Sequence, residues 1–257
     1  MILPRIIPSL LLEGSGLYKT RKFKNPSYIG DPINALKIFN DKQVDEIAVL
    51  DIGLAKSRKE PNFDLLKNMA SECFMPLSYG GGITSIEEIR ELISLGIEKI
   101  VINTSAYSNP ELIRKSSSIF GVSTIVGSID VKKNWLGKKK VVINGGEEEI
   151  PVSPQDWARE LESMGCGEII LNSVDRDSGM KGYDLDLIEK VSACISIPLV
   201  ASGGANNLSS CYQAIKAGAS ASMAGSMFVY KGKHRGVLIT YPKYSEIKEI
   251  FANLQES

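Results

Sequence analysis

The sequence predicts an α/β fold, a (βα)8 TIM barrel occupying residues 1–257 as a single domain. Three observations carry this expectation. Short apolar runs alternate eight times with helix-like patterns. The length of 257 residues suits one such barrel. The glycine clusters follow the third and seventh apolar runs, whereas a doubly wound open sheet carries its glycine-rich turn after the first.

Taken in order, the first strand is Ile6–Leu11 within RIIPSLLLEG, and alternation places Arg5, Ile7, Ser9 and Leu11 on one face. Asp31 caps a helix over Pro32–Asp41 that has proline at its first position. The second strand, Glu46–Asp51, leads to a helix at Asn62–Cys73. The third, Met75–Tyr79, runs into Gly80, Gly81 and Gly82; Ser85 then starts a helix to Leu95 with Glu87 and Glu88 in its first turn. The fourth, Lys99–Asn103, precedes a helix over Pro110–Ile119 with Asn109 as its cap. After the fifth, Ser123–Asp130, the stretch KKNWLGKKKVVINGGEEEI reads as a hairpin insertion over the barrel mouth, with Lys138–Lys140 facing Glu147–Glu149. A helix at Ser153–Met164, a strand at Glu168–Asn172, a helix at Asp184–Cys194 and a strand at Ile197–Ala201 follow. Leu208–Ala217, Ala219–Ala224 and Tyr244–Leu254 complete the alternation, and Gly96, Gly165 and Gly218 fall where helices end.

Composition narrows the function. The chain is 43% hydrophobic and 23% charged, enough to bury a sizeable core. Thirty basic residues balance thirty acidic ones, which gives no support to a nucleic-acid or membrane-surface partner. No apolar run approaches the roughly 20 residues of a membrane span and no signal peptide precedes Arg5, so a cytoplasmic protein is expected. Cys73, Cys166, Cys194 and Cys211 form no CxxC pair, and His234 is the only histidine. Buried reduced thiols are expected, with no metal and no cofactor.

The two halves echo each other, as a half-barrel duplication would. SYGGGITSIEEIRELISLGIEKIVINTSAY aligns with VASGGANNLSSCYQAIKAGASASMAGSMF at an offset near 122 residues. Each half carries glycines at the end of one strand and small polar residues at the end of the next. Gly80, Gly81 and Gly82 pair with Asn103, Thr104 and Ser105; Ser202, Gly203 and Gly204 pair with Ala224, Gly225 and Ser226. Bare backbone N–H groups approach an anion closely, and a following helix N-terminus adds favourable charge. Two such cradles on opposite rims imply a long phosphorylated ligand with a phosphate at each end.

The segments RIIPSL, GDPINALKIFN, DEIAVLDI, YGGGI, KIVINTSA, SIDVK, GEIILNSVDRD, KGYD, ASGGA and AGSMF resemble the cyclase subunit of imidazole glycerol phosphate synthase along nearly the whole chain. The resemblance implies a (βα)8 barrel paired with a glutaminase subunit at its bottom. Ammonia released there crosses the barrel and reacts with a bis-phosphorylated ribotide, giving imidazole glycerol phosphate and an aminoimidazole ribotide. It also implies two catalytic aspartates, at the ends of strands one and five. The second matches Asp130; the first falls on Leu11, which cannot transfer a proton. Lys19 lies on the loop that covers substrate, and Asp51, Asn172 and Asp177 occupy further rim positions. Asn172 stands where a threonine is usual, and Ser178 where the family has glycine. A charged ring that gates ammonia matches Arg5, Glu46, Lys99 and Glu168, each opening its strand, although Glu46 and Asp51 share a face only through a bulge.

A retained inlet with a broken acid–base pair suggests a paralogue with a different acceptor. GKHRGVLITYP and MPLSYGGG resemble a subgroup linked to acetamidino-sugar formation in surface polysaccharides. That resemblance implies ammonia delivery to a phosphorylated or nucleotide-linked sugar, with an ATP-using sugar amidotransferase as a further partner. His234 lies in this segment, as a contact to substrate or partner or as a surface residue. A histidine-pathway cyclase that tolerates Leu11 and a non-catalytic ammonia-conducting scaffold are the alternatives.

Overall fold

The computed structural model describes residues 3–54, 60–232 and 234–252. Eight parallel strands close a barrel: β1 (Arg5–Glu13), β4 (Ile47–Asp51), β5 (Leu77–Gly80), β6 (Lys99–Ile102), β7 (Ile125–Lys133), β10 (Glu168–Ser173), β11 (Leu199–Ser202) and β12 (Ala221–Ala224). Closure runs through Arg5↔Ala221 between β1 and β12. Between β7 and β10 the register runs from Val126↔Glu168 to Val131↔Ser173.

Helices α1 (Pro32–Asp41), α2 (Phe63–Glu72), α3 (Ile86–Ser94), α5 (Pro110–Phe120), α6 (Pro154–Met164), α7 (Leu185–Ser192), α8 (Leu208–Lys216) and α10 (Tyr244–Ala252) alternate with these strands. Their starts follow local chemistry. Asp31, Asn62, Ser85, Ser153, Asp184 and Asn207 each accept a hydrogen bond from an N–H of the first turn, satisfying a donor that the helix leaves free. Asn109 differs from the expectation: it precedes Pro110 but makes no side-chain cap bond. Gly165 ends α6 in the left-handed conformation that a C-terminal glycine supplies. Residues 253–254 of the expected last helix lie outside the described residues.

Alternation along each strand divides the apolar residues into two cores. Ile6, Leu10 and Leu12 point outward and pack with the helices around Leu36, Phe39, Ile89 and Leu112. Ile7, Ala48, Val101, Val126, Ile170, Val200, Ala221 and Met223 fill the barrel itself. The interior is therefore a packed apolar layer, with polar residues above and below it.

Two excursions rise from the mouth. β1 turns at Gly14 into β2 (Gly16–Arg21) and β3 (Lys24–Gly30), which form an antiparallel hairpin. This hairpin was not expected from the sequence. Its turn residues Lys22 and Phe23 both take positive φ (52° and 63°), where Asn-Gly is the usual signal. After the last barrel contact of β7, the chain turns at Asn134–Gly137 and pairs antiparallel through β8 (Lys139–Ile143), which pairs in turn with β9 (Glu148–Glu149). Lys140 meets Glu149 at 3.0 Å, whereas Lys139 turns to Asp184 and Asp186, both at 2.8 Å.

Candidate active site

A cavity of about 1030 Å³ opens at the C-terminal ends of the barrel strands. That is the face on which such barrels carry their chemistry. Its floor is reached at Ser9, Val101, Ser128 and Ile170, and its wall includes Leu11, Asp130, Lys19 and both glycine clusters. Phe23 and Pro26 of the β2–β3 hairpin, with Asn144 and Gly145 after β8, line its upper part.

Asp130 is the central group. Near the mouth end of β7 it pairs in register with Asn172 on β10 and is buried. Its two oxygens are held separately: Asn103 Nδ2 donates to Oδ2 at 2.7 Å, and Asn172 Nδ2 to Oδ1 at 2.8 Å. Burial pushes the carboxyl up to about 6, against the two amide donors that favour the charged form. A carboxyl titrating there can give or take a proton near neutrality. Asn103 and Asn172, expected as ligand contacts, thus orient the acid.

Leu11 is half-buried on β1 and lines the same cavity, in register with Leu50 of β4 and Tyr18 of β2. No proton carrier occupies its place. Lys19, on β2, is buried and donates to Asp177 Oδ1 at 2.9 Å and to the Thr20 carbonyl at 3.2 Å. The hairpin is therefore pinned across the mouth to the loop after β10. Asp177 Oδ2 and Thr20 Oγ1 are buried without partners among the described residues. Such atoms call for a ligand hydroxyl or water.

The two cradles occupy equivalent places. Gly81 and Gly82 have φ of 117° and 68°; Gly203 and Gly204 have φ of 86° and 113°. A Cβ on Gly81 would lie 2.1 Å from the carbonyl oxygen of Asp51, and one on Gly203 2.5 Å from that of Ser173. Each glycine is required by the close approach of the neighbouring strand end. Among the described residues the N–H groups of these four glycines have no hydrogen-bond partner outside the sheet ladder. The expected help from the helix after Gly82 is reduced, because α3 is closed by its own capping box: Glu88 accepts from the N–H of Thr84 and of Ser85. Asn103, Thr104 and Ser226 instead adjoin two short helices, α4 (Thr104–Ser108) and α9 (Ser226–Val229), that begin at the cradles.

Asp51, expected to contact the ligand, also makes bonds of its own within the fold. One oxygen accepts from the N–H groups of Gly53 and Leu54, at 2.9 and 3.1 Å, and the other lies 3.5 Å from the Tyr79 hydroxyl. It ties the turn after β4, although it still borders the cavity. Burial raises its carboxyl above the ordinary value, against those backbone donors.

At the opposite end of the barrel, Arg5, Glu46, Lys99 and Glu168 form a closed ring of charges. Arg5 bonds both Glu46 and Glu168; Lys99 Nζ lies 2.9 Å from Glu46 and 2.8 Å from Glu168. Ser78 Oγ donates to Glu46 at 2.8 Å. Both glutamates are buried and each meets two cations, so the charges compensate. No strand bulge is needed: Glu46 lies one residue before β4 and so escapes its alternation. Sequence reading also missed Tyr241, in the C-terminal segment. Its hydroxyl donates to the Ile6 carbonyl at 2.9 Å and fastens the tail beneath β1. His234 is exposed. Cys166 and Cys211 are buried, as expected, but Cys73 and Cys194 are only half-buried.

Residues 5–235 match the family model described as "Histidine biosynthesis protein". A Pseudomonas aeruginosa protein, provisionally named imidazole glycerol phosphate synthase subunit hisF2, is 46% identical over 248 residues, covering 96% of this chain and 99% of the relative. A Leptospira interrogans protein, provisionally named imidazole glycerol phosphate synthase subunit HisF, is 43% identical over 98% of this chain and the whole relative. The imidazole glycerol phosphate synthase subunit HisF of Thermococcus onnurineus is 38% identical over 91% of this chain and 92% of its own.

Proposed function

The chain belongs to the histidine biosynthesis protein family, and from that membership we propose that it is the ammonia-using barrel subunit of a glutamine-dependent synthase of the imidazole glycerol phosphate synthase type. One observation carries the reading: a buried carboxyl, Asp130, is held by two amides in a cavity that two glycine cradles also line. The cradles bind the terminal phosphates of the acceptor, and Lys19 and Asp177 close the hairpin over it. Asp130 acts as the acid or base beside the reacting carbon, its carboxyl near 6 suiting proton transfer at neutral pH.

The charged ring supports a glutaminase docked at the barrel floor. Above the ring lies a layer of apolar packing, from Ile7 and Ala48 to Val200 and Ala221. Neutral ammonia crosses such a layer at far lower cost than ammonium or hydrated ions. The ring, made of side chains that can part from one another, serves as the gate.

Among acceptors, the names of the relatives favour the ribotide that gives imidazole glycerol phosphate over an acetamido sugar. Leu11 is the specific observation that favours a second reading. With one of two proton carriers absent, cyclisation slows by about 10²–10⁴. In that case the acceptor is a phosphorylated or nucleotide-linked sugar shared with an ATP-using amidotransferase. Purified protein given the ribotide and an ammonium salt decides between them. Slow imidazole glycerol phosphate formation, accelerated about 10²-fold or more by Leu11→Asp and abolished by Asp130→Asn, supports the histidine-type reaction. No product from either the wild type or Leu11→Asp overturns it.

A further inference from the structure

Beside Ser226 of the second cradle lies a second hydroxyl, that of Ser178, which the reading above leaves unused. Ser178 Oγ lies 2.6 Å from Ser226 Oγ, and the two residues are only 6% and 5% exposed. Both line the mouth cavity beside Gly203, Gly204 and Gly225. Two hydroxyls bring two protons, and the bond between them uses one. Among the described residues neither side chain has another partner, so one buried O–H proton has no acceptor in the protein. An unmet donor at such a site is costly.

The backbone points the same way. Ser178 has φ of +57°, a conformation natural to glycine and uncommon for a residue with a side chain. Non-glycine residues persist there when their surroundings enforce it, and such positions cluster at binding sites. The enforcement is visible. Arg235 Nη2 donates to the Ser178 carbonyl at 2.7 Å, its guanidinium lying 5.9 Å from the centre of the Tyr230 ring. Asp177, next in the chain, is tied to Lys19.

We propose that Ser178 joins Ser226 of the second cradle as one two-hydroxyl donor to the terminal phosphate of the ligand there, a contact that a glycine at 178 could not make. The inference rests on the phosphate reading of the cradles and adds a determinant of affinity to it. The hydroxyl that donates to its neighbour polarises it, and the neighbour becomes the stronger donor to an anion. A phosphate monoester, with three terminal oxygens, has room for this donor in addition to the backbone N–H groups.

The test is a titration of the full chain with inorganic phosphate, followed through the amide resonances of Gly204 and Gly225 for the second cradle and Gly82 for the first. Ser178→Gly suits the left-handed backbone and should fold at least as well as the wild type. The expected result is a Kd about tenfold or more weaker at Gly204 and Gly225, and unchanged at Gly82. Ser226→Ala should match it. An unchanged Kd at Gly204 and Gly225 in both variants overturns the hydroxyl pair and leaves the phosphate reading standing. A wild type that shows no response at any of the three glycines overturns both.

Discussion

Asp130 is buried, and its two oxygens are met by the amides of Asn103 and Asn172. Its native carboxyl keeps a proton up to about pH 6, whereas an unfolded aspartate loses it near pH 4. Between those values the native state binds more protons than the unfolded one. Stability from this group is therefore full below about pH 4 and lost as pH rises through 6. Thermal unfolding should show the wild type gaining stability, by up to about 3 kcal/mol, on acidification from pH 7 to 4, relative to Asp130→Asn. Parallel curves for the two proteins would refute the burial account. The position of Asp130 was legible in the motif SIDVK, but its orientation by Asn103 and Asn172 was not. That arrangement depends on register between β6, β7 and β10, which no local pattern encodes. The bonds of Asp51 to its own turn were not legible for a related reason: a rim aspartate reads the same whether it faces a ligand or its own turn.

At the scale of elements, the β2–β3 hairpin and the floor ring show opposite kinds of design. The hairpin holds Lys22 and Phe23 in left-handed conformations that side chains disfavour by about 1–2 kcal/mol each. That absence of a turn signal hid it from sequence reading. Lys22→Asn, with a residue that tolerates positive φ, should raise stability by about 0.5–1 kcal/mol in chemical denaturation. A loss would show that Lys22 contributes more than its backbone costs. The ring was legible because each charge sits beside the start of a strand, and a barrel brings strand starts together. Lys99→Met leaves Glu46 and Glu168 facing each other with Arg5 as their only cation, and should cost about 3 kcal/mol by the same measurement. On the gating account it also lowers product formed from glutamine in the complex while sparing product formed from added ammonium. An equal loss with both nitrogen sources would argue against a gate.

On the scale of the whole molecule, one direction organises the barrel: charge at the floor, apolar packing in the middle, glycine cradles and a carboxyl at the mouth. The alternation of strands and helices was readable because each face must bury a stripe at its own period, 2 or 3.6 residues. The equivalence of the cradles was readable too, since Gly81 and Gly203, like Asp51 and Ser173 against them, stand the same 122 residues apart. The excursions that roof the mouth follow no such periodicity, and only the folded chain brings Phe23 against Gly146.

The central claim is that nitrogen enters at the floor and reacts at the mouth without meeting solvent. It is tested by supplying the reconstituted complex with ¹⁵N-amide glutamine in an excess of unlabelled ammonium at a pH where free ammonia is scarce. The nitrogen in imidazole glycerol phosphate is then read by mass spectrometry, with Leu11→Asp where the wild type is too slow. Product carrying the glutamine label nearly undiluted is the predicted result; label diluted to the bulk ammonium ratio would contradict the account.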